Sequence, residues 1–278
     1  MTQEMKIDEV GYWSELKLEI IKKYAGAYSR ILSAQGPSLQ HHYIDAFAGA
    51  GIHLAKRTGE YIAGSPLNAL NIVPPFKHHH LIDLDGRRVD HLRSIAKARE
   101  DVTIHKGDCN IVLLEEVFPE VRYEDYQRAL CILDPYKLNP DWEVMAAAGS
   151  MKSVEIFLNF MVMDMNMNVL WKNPEAVAPA QIERMNRFWG DDSWRSAAYR
   201  AELGLFGSHE EKTTNEDVAE AYRTRLRDVA GFKYVPKPIP MRNSSGAIIY
   251  YLFFASPSAT GGRIVEEIFE RYRQRGIR

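Results

Sequence analysis

The feature that most constrains the fold is a succession of four candidate strands, each of which supplies an aspartate. These aspartates are Asp45, Asp83, Asp108 and Asp134. β-Branched and aromatic residues in runs of this length are typical of buried strands. Helix signals lie between the segments, and strands that alternate with helices predict a mostly parallel sheet. Because such strands end at one edge of the sheet, we expect the carboxylates to lie along that edge.

The turn after the first segment has almost no side chains, because it reads Ala48-Gly49-Ala50-Gly51. Glycine permits positive φ and close approach of a ligand to the backbone. Open α/β sheets bind nucleotide-like ligands at this edge. A tight turn between a strand and a helix is an equally good interpretation of the two glycines alone.

Asp134-Pro135-Tyr136 resembles the Asp/Asn-Pro-Pro-Tyr/Phe element of amino-methyltransferases, and the succession of acids resembles class I S-adenosylmethionine-dependent methyltransferases. Further short motifs are similar to the three-Cys-motif partner proteins (TcmP): Trp13-Ser14-x-x-Lys17-Leu18, Asp45-x-Phe47-Ala48-Gly49-x-Gly51, Gly64-Ser65-Pro66-Leu67 and Tyr250-Tyr251-Leu252-Phe253-Phe254-Ala255. The resemblance implies a Rossmann-like α/β sheet, mostly parallel with its last strand antiparallel. It also implies S-adenosyl-L-methionine as cofactor and a three-Cys-motif protein as partner.

The resemblance also assigns cofactor contacts. They are expected at Asp45, Phe47, Ala48, Gly49, Gly51, Asp83, Asp108 and Cys109. Asp45 would accept a hydrogen bond from the cofactor ammonium or from nearby backbone. Asp83 would accept hydrogen bonds from the ribose diol, and Asp108 would accept one from the adenine amine, with the Cys109 backbone beside it. Helix capping is the alternative for Asp83, and it is strongest for its neighbour Asp85.

The expected catalytic residues are Asp134, Pro135 and Tyr136. Asp134 and the Pro135 carbonyl would accept from an amine, and Tyr136 would stack on its plane. The element has one proline where the usual one has two, so specificity for an exocyclic amine stays open. Lys17 and Lys137 are candidate substrate contacts. The favoured alternative for Lys17 is a solvated position on the rim of an amphipathic helix spanning Trp13–Leu32.

Three functions fit these patterns to different degrees. The leading one is a methyltransferase acting on nitrogen of a nucleobase or another amine. The second is a non-catalytic partner that keeps the fold and docks on a radical or nucleic-acid-processing enzyme. A dehydrogenase is disfavoured, because its fingerprint needs a third glycine opening a helix and an acid about 20 residues further on.

We expect one domain over residues 1–278 with a helical insertion at about 171–232. Helices are predicted at Gln181–Trp189, Trp194–Phe206 and Asn215–Val229. The insertion is rich in arginine: Arg184, Arg187, Arg195, Arg200, Arg223, Arg225 and Arg227. A solvated surface is the default interpretation, whereas a shared face with Trp189 or Trp194 would suit nucleic acid. The segment Ile52–Ala63 is predicted to be a surface loop that could act as a lid.

Composition places further limits on function. With 35 basic and 37 acidic residues the net charge is −2, so no global field attracts polyanions. Residues 1–8 lack the features of a signal peptide, no membrane span is predicted, and Cys109 and Cys131 are expected to be reduced, buried thiols. We therefore expect a cytoplasmic protein. The histidines at 41–42 and 78–80 do not favour a metal site, because side chains alternate along strands.

Overall fold

The computed structural model describes residues 7–204 and 207–274, without the side chains of residues 202–210. The strands are β1 (Glu9–Val10), β2 (Gln40–Asp45), β3 (Ile52–Ala55), β4 (Tyr61–Ala63), β5 (His78–Asp83), β6 (Val102–Lys106), β7 (Gln127–Leu133), β8 (Val154–Phe160), β9 (Tyr199–Gly204), β10 (Gly207–Lys212), β11 (Ile239–Arg242) and β12 (Ile248–Ala255). The helices are α1 (Tyr12–Ser33), α2 (Ser65–Leu70), α3 (Gly86–Ala96), α4 (Cys109–Ile111), α5 (Trp142–Met151), α6 (Val162–Asn168), α7 (Pro179–Trp189), α8 (Trp194–Ala198), α9 (Asn215–Asp228) and α10 (Ala259–Gln274). A π-helical segment follows α4 at Val112–Val117, and short 3₁₀ turns lie at Phe118–Glu120 and Pro174–Ala176.

Seven strands form the central sheet in the order β11-β12-β8-β7-β2-β5-β6. β2 is parallel to both β5 and β7, and β6 and β8 continue the parallel arrangement outward. β12 is antiparallel to β8 and to β11. The prediction of a Rossmann-like, mostly parallel sheet with its last strand antiparallel is confirmed. The chain reverses its direction of winding at β2, which is where open α/β sheets bind ligands.

The sheet is buried on both faces, which explains the uninterrupted apolar runs of its central strands. On one face, Tyr24 of α1 packs edge-on against Phe157 and Phe254, with ring centroids 5.4 and 4.7 Å away. On the other face, Tyr222 of α9 packs against Phe160, with centroids 4.8 Å apart. Successive side chains of β7 alternate between the two hydrophobic clusters.

The segment 171–232 packs directly on the second face of the sheet, because Met185, Phe188, Tyr222 and Leu226 belong to the same hydrophobic cluster as β7 and β8. The prediction of a helix over Trp194–Phe206 is wrong. α8 ends at Ala198, and an antiparallel hairpin of β9 and β10 follows; Phe206 lies outside the described residues. Gly204 and Gly207 lie opposite each other in this hairpin, and glycines at both positions disfavour a continuous helix. Thr214 and Asp217 form a capping box at the start of α9.

The segment Ile52–Ala63 was predicted to be a loop, and that prediction is wrong. β3 and β4 form a hairpin, and β1 pairs with β3 in parallel, so that Glu9 lies opposite Leu54. The strands are too short for periodicity to reveal them, and Gly59, with a φ of 70°, makes the turn between them. This small sheet fixes the N-terminal segment beside the end of β7.

Among the described residues, no helix combines the length and apolarity needed to cross a bilayer. α2 begins at Ser65, with Gly64 in the N-cap position and Pro66 in its first turn. The terminal basic residues Arg275 and Arg278 lie outside the described part of the chain.

Candidate functional site

A hollow of about 520 Å³ lies at the carboxyl ends of the parallel strands, and we call it the Asp83 cavity. Its walls come from the turn after β2, the ends of β5 and β6, and the segment after β7. The predicted cofactor residues that line it are Phe47, Asp83, Asp108 and Cys109, and Tyr136 and Lys137 line it as well. The strand ends therefore converge as the sequence predicted.

Asp83 is held rigidly by backbone donors. Its Oδ2 accepts from the Gly49 N–H at 2.9 Å and its Oδ1 accepts from the Asp85 N–H at 2.8 Å. Each carboxylate oxygen keeps a further acceptor position, which suits two neighbouring hydroxyl groups. Asp85 caps α3 by accepting from the Arg87 N–H at 2.8 Å, so the capping interpretation of Asp85 is confirmed.

Asp108 caps the short helix α4, because its Oδ1 accepts from the Asn110 N–H at 2.8 Å. Its Oδ2 has no partner among the described residues. Cys109 beside it is buried, and burial raises the pKa of the thiol to about 12, with Asp108 adding to the shift. The thiol is therefore protonated at neutral pH and contributes packing and backbone rather than a nucleophile. Both cysteines are free and buried, as predicted.

The two glycines of the turn after β2 play different parts. Gly49 and Gly51 have φ values of 63° and 78°, which favour glycine. A Cβ on Gly49 would meet nothing within 4 Å, so this side of the turn is open to a ligand. The carbonyl of Gly51 instead accepts from the Gly64 N–H at 2.7 Å, and Ala48 packs with Leu81 in a small apolar cluster. Gly49 is the member of the turn that a ligand can approach.

Asp45 lies beneath this turn and is fully buried, with 0% exposure. It accepts from the Phe47 N–H at 3.3 Å and from the Ser65 side chain. Burial raises the pKa of its carboxyl to about 7, and the Ser65 hydrogen bond opposes that shift. The expected contact to a cofactor ammonium is wrong, because the carboxyl is closed off from the cavity. The alternative, a bond to nearby backbone, is what the structure shows.

A smaller hollow of about 210 Å³ adjoins the first, and we call it the Asp134 cavity. Asp134, Pro135, Tyr136 and Lys17 line it, with Asn159 opposite. The Asp134 carboxylate accepts from the Lys17 ammonium on one oxygen and from the Asn159 amide on the other. Lys17 is only 6% exposed, so the rim interpretation is wrong. An ammonium is tolerated there because a carboxylate neutralises it.

Tyr136 lines both cavities and is 63% exposed. Its hydroxyl donates to Asp8 Oδ2 at 2.9 Å, and Arg88 donates to the same oxygen at 2.7 Å. Partial burial and the bond to Asp8 raise the pKa of the Tyr136 phenol, so it stays neutral. Lys137 lines the Asp83 cavity but not the Asp134 cavity.

Sequence reasoning missed four contributors to this region. Asp8 and Arg88 carry no local signal, because they pair with each other across 80 residues. Asn159 had a signal, since it is an amide within the otherwise apolar end of β8. His53 lines the Asp134 cavity, and its Nδ1 is buried without a partner among the described residues. Burial, followed by the charge of Lys17, lowers the pKa of His53, which leaves a neutral imidazole at the cavity wall.

The arginines of segment 171–232 are mostly paired with acids. Arg184 lies 2.9 Å from Asp164, Arg187 2.8 Å from Asp141 and Arg225 2.6 Å from Asp191. Arg200, Arg223 and Arg227 also have acidic partners, and Arg195 lies over the ring of Trp194. Base stacking on Trp189 or Trp194 is wrong, because these side chains are 2% and 1% exposed. Contact with a phosphate backbone stays a prediction.

The histidines at the other edge of the sheet bond to one another and to neighbouring polar groups. His42 Nδ1 lies 3.2 Å from His80 Nε2, and His80 Nδ1 lies 3.4 Å from His105 Nε2. Burial lowers the pKa of His80 to about 2 and also lowers the pKa of His42, so these two imidazoles are neutral. Within the described ranges, no three histidine, cysteine or acidic residues are grouped to hold a metal ion.

No protein-family model and no curated protein matches the chain. Among solved structures, a protein of family DUF519 from Legionella pneumophila str. Philadelphia 1 has a TM-score of 0.50 at 11% identity, covering 94% of this chain and 91% of that chain. Magnesium protoporphyrin IX methyltransferase from Synechocystis PCC 6803 with bound SAH has a TM-score of 0.37 at 13% identity, covering 86% of this chain and 84% of that chain. The same enzyme with bound SAM has a TM-score of 0.38 at 12% identity, covering 91% of this chain and 86% of that chain. At these identities the likeness concerns the fold, and membership of the three-Cys-motif partner family stays a prediction.

Proposed function

We propose that the chain is an S-adenosylmethionine-dependent methyltransferase. The observation that carries this proposal is the pair of adjoining cavities at one strand edge, with Tyr136 in the wall of both. Transfer of a group between two bound molecules requires that they lie side by side in fixed orientation. The sheet order and the position of both cavities at the reversal of winding support the same proposal.

The Asp83 cavity fits an adenosyl ligand. The oriented Asp83 carboxylate would accept from the ribose hydroxyls, and the free oxygen of Asp108 would accept from the exocyclic adenine amine. The open side of Gly49 leaves room for the methionyl part beside the turn. A volume of about 520 Å³ is within the usual range for small-molecule sites. S-adenosylmethionine would supply a methyl group activated on a sulfonium.

The Asp134 cavity fits a neutral amine acceptor, such as the exocyclic nitrogen of a nucleobase. Asp134 would accept from the acceptor N–H and orient the nitrogen lone pair, while Lys17 and Asn159 hold the carboxylate in place. The proton released by the nitrogen would go to the neutral His53 imidazole. We expect His53→Gln to abolish any fall of turnover on the acid side of neutrality, and an unchanged pH profile would exclude His53 from this role.

A second candidate function is a non-catalytic partner that retains the fold and docks on a three-Cys-motif protein. One observation favours it: both oxygens of Asp134 already have side-chain partners. In this case the Asp83 cavity could still bind the adenosyl ligand, but no methyl group would be transferred.

Two measurements separate these functions. Titration calorimetry with S-adenosylhomocysteine should give saturable binding to one site, and no heat at high micromolar ligand with folded protein would exclude the methyltransferase. Labelled-methyl transfer to RNA, DNA and protein from the host then tests turnover. Incorporation that disappears in Asp134→Ala supports the enzyme. Binding without incorporation, together with co-purification of a second protein, supports the docking function.

A further inference from the structure

A third hollow, which we call the Tyr28 cavity, lies at the opposite edge of the sheet. Its volume is about 360 Å³, and its walls come from the starts of β7 and β8, the second half of α1 and the first turn of α10. The seven residues of β7 span roughly 20 Å at about 3.3 Å per residue. That length separates the Tyr28 cavity from the strand ends that carry Asp83 and Asp134.

Three cations line this cavity, namely Arg128, Lys152 and Lys233. None of them forms an ion pair with a residue that the structure describes. Arg128 lies with its guanidinium carbon 3.8 Å from the centre of the Tyr123 ring and donates to backbone carbonyls. The arginines of segment 171–232 differ, since all but Arg195 have an acid nearby. The cavity therefore gathers positive charge that the described protein leaves uncompensated.

Glu155 is the one carboxylate among the residues that line the cavity. Its oxygens already accept from the hydroxyls of Tyr24 and Ser256. Burial raises the pKa of Glu155 to about 7, so it carries only part of a charge at neutral pH. It does not balance the three cations.

Two buried hydroxyls in the wall have no hydrogen-bond partner within the described residues. They belong to Tyr28, which is 7% exposed, and Ser153, which is 1% exposed. Burying a hydroxyl without a partner is unfavourable, and such a group in a cavity wall is satisfied when a ligand supplies an acceptor. The orphan hydroxyls are independent of the cations and point to the same kind of ligand.

Lys152 adds a third observation. It follows α5 with a φ of 60°, the left-handed conformation in which glycine is usual. A lysine in that position places an ammonium at the cavity despite an unfavourable backbone. Ile31, Leu32 and Ile264 supply an apolar part of the wall.

We propose that the Tyr28 cavity binds a small organic anion. Its acidic group would lie among Lys152, Lys233 and Arg128, and its apolar body would lie on Ile31, Leu32 and Ile264. The hydroxyls of Tyr28 and Ser153 would donate to the ligand. Phosphate and carboxylate share this chemistry, and the volume suits a molecule built on one or two rings.

The probe for this site is 8-anilinonaphthalene-1-sulfonate, which combines an aromatic body with an acidic group. We expect saturable fluorescence enhancement with one site, and competition by phenyl phosphate or benzoate. The stronger competitor identifies the acidic group that the site prefers, whereas no competition by either would overturn the proposal. The probe should bind Asp83→Ala with unchanged affinity, and loss of binding in that variant would place the probe in the Asp83 cavity and overturn the proposal.

Charge reversal supplies the decisive variants. The double variant Lys152→Glu/Lys233→Glu should bind the probe at least tenfold more weakly than wild type. The matched control, the double variant Lys97→Glu/Lys172→Glu, should bind it with unchanged affinity. All four lysines are exposed, so the fold is preserved. Tyr28→Phe should weaken the probe several-fold without lowering the midpoint of urea unfolding, because the lost hydroxyl has no described partner. Equal affinities in the two double variants, or an unchanged affinity in Tyr28→Phe, would overturn the proposal.

Discussion

The Asp83 and Asp134 cavities are built around the same residue type in the same position, an aspartate at the end of a parallel strand. Their partners differ. Backbone N–H groups of Gly49 and Asp85 hold the Asp83 carboxylate, whereas the side chains of Lys17 and Asn159 hold Asp134. Arg88 Nη1 lies 3.8 Å from Asp83 Oδ2 but donates its hydrogen bond to Asp8, so the Asp83 oxygens keep free acceptor positions, whereas the Lys17 ammonium bonds directly to Asp134 and neutralises it. The first cavity therefore suits a ligand rich in hydroxyl donors, and the second suits a neutral acceptor.

The largest expected effect follows from Asp134→Ala, which should separate the two cavities functionally. Turnover should fall by about 100- to 1,000-fold, because a group aligned with the reacting nitrogen is lost. Affinity for S-adenosylhomocysteine should stay within about twofold, since Asp134 lies outside the Asp83 cavity. Calorimetry and single-turnover methyl transfer measure the two quantities. An equal loss of both would show that the cavities are not independent.

Removing the cation tests the charge balance of the Asp134 cavity. Lys17→Met should lower the free energy of unfolding by about 3 kcal/mol, because it leaves a partly buried carboxylate uncompensated. The value is at the low end for buried pairs, since Asp134 is 26% exposed. Adding Asp134→Asn should restore most of the loss, and Lys22→Met on the exposed side of α1 is the control. Urea unfolding that shows no recovery in the double variant would contradict the pairing.

Asp45 tests whether the turn under the Asp83 cavity depends on a neutral carboxyl. Its pKa is raised from an ordinary value of 3.8 to about 7, so the fold favours the protonated form. This contribution to stability is fully present below about pH 4 and is lost as the pH rises through 7. Relative to Asp45→Asn, the unfolding free energy of wild type should therefore fall by roughly 3–4 kcal/mol between pH 4 and pH 8. A difference independent of pH would mean that Asp45 is ionised in the fold throughout.

The smallest effect is expected from Asp83→Ala. This change should weaken the binding of S-adenosylhomocysteine by roughly 1–3 kcal/mol, because two charge-assisted hydrogen bonds are no longer made. Asp90→Ala, an exposed change on α3, is the control. Titration calorimetry at one pH compares both variants with wild type. If Asp83→Ala binds as tightly as the control, the ribose lies elsewhere.

Much of the fold could be predicted because its signals are local. The apolar runs ending at Asp45, Asp83 and Asp134 are visible within a few residues, as is the period of α1. The hairpin of β3 and β4 was missed because its strands have only four and three residues. The hairpin of β9 and β10 was missed because the sequence of β10, Gly-Ser-His-Glu-Glu-Lys, has low strand propensity.

The candidate site was only partly predictable for a related reason. The strand-end acids follow from the sheet, but the partners of Asp134 come from other elements: Lys17 is 117 residues away and Asn159 is 25. Asp8 reaches Tyr136 across 128 residues. Burial of Asp45 and Lys17 depends on how elements pack, which no motif records.

The most direct test of the account is a crystal structure of the protein with S-adenosylhomocysteine. We expect the ribose hydroxyls within hydrogen-bond distance of Asp83, the adenine amine beside Asp108 and the sulfur facing the Asp134 cavity. A ligand bound elsewhere, or an Asp83 cavity closed by the protein's own side chains, would contradict the account.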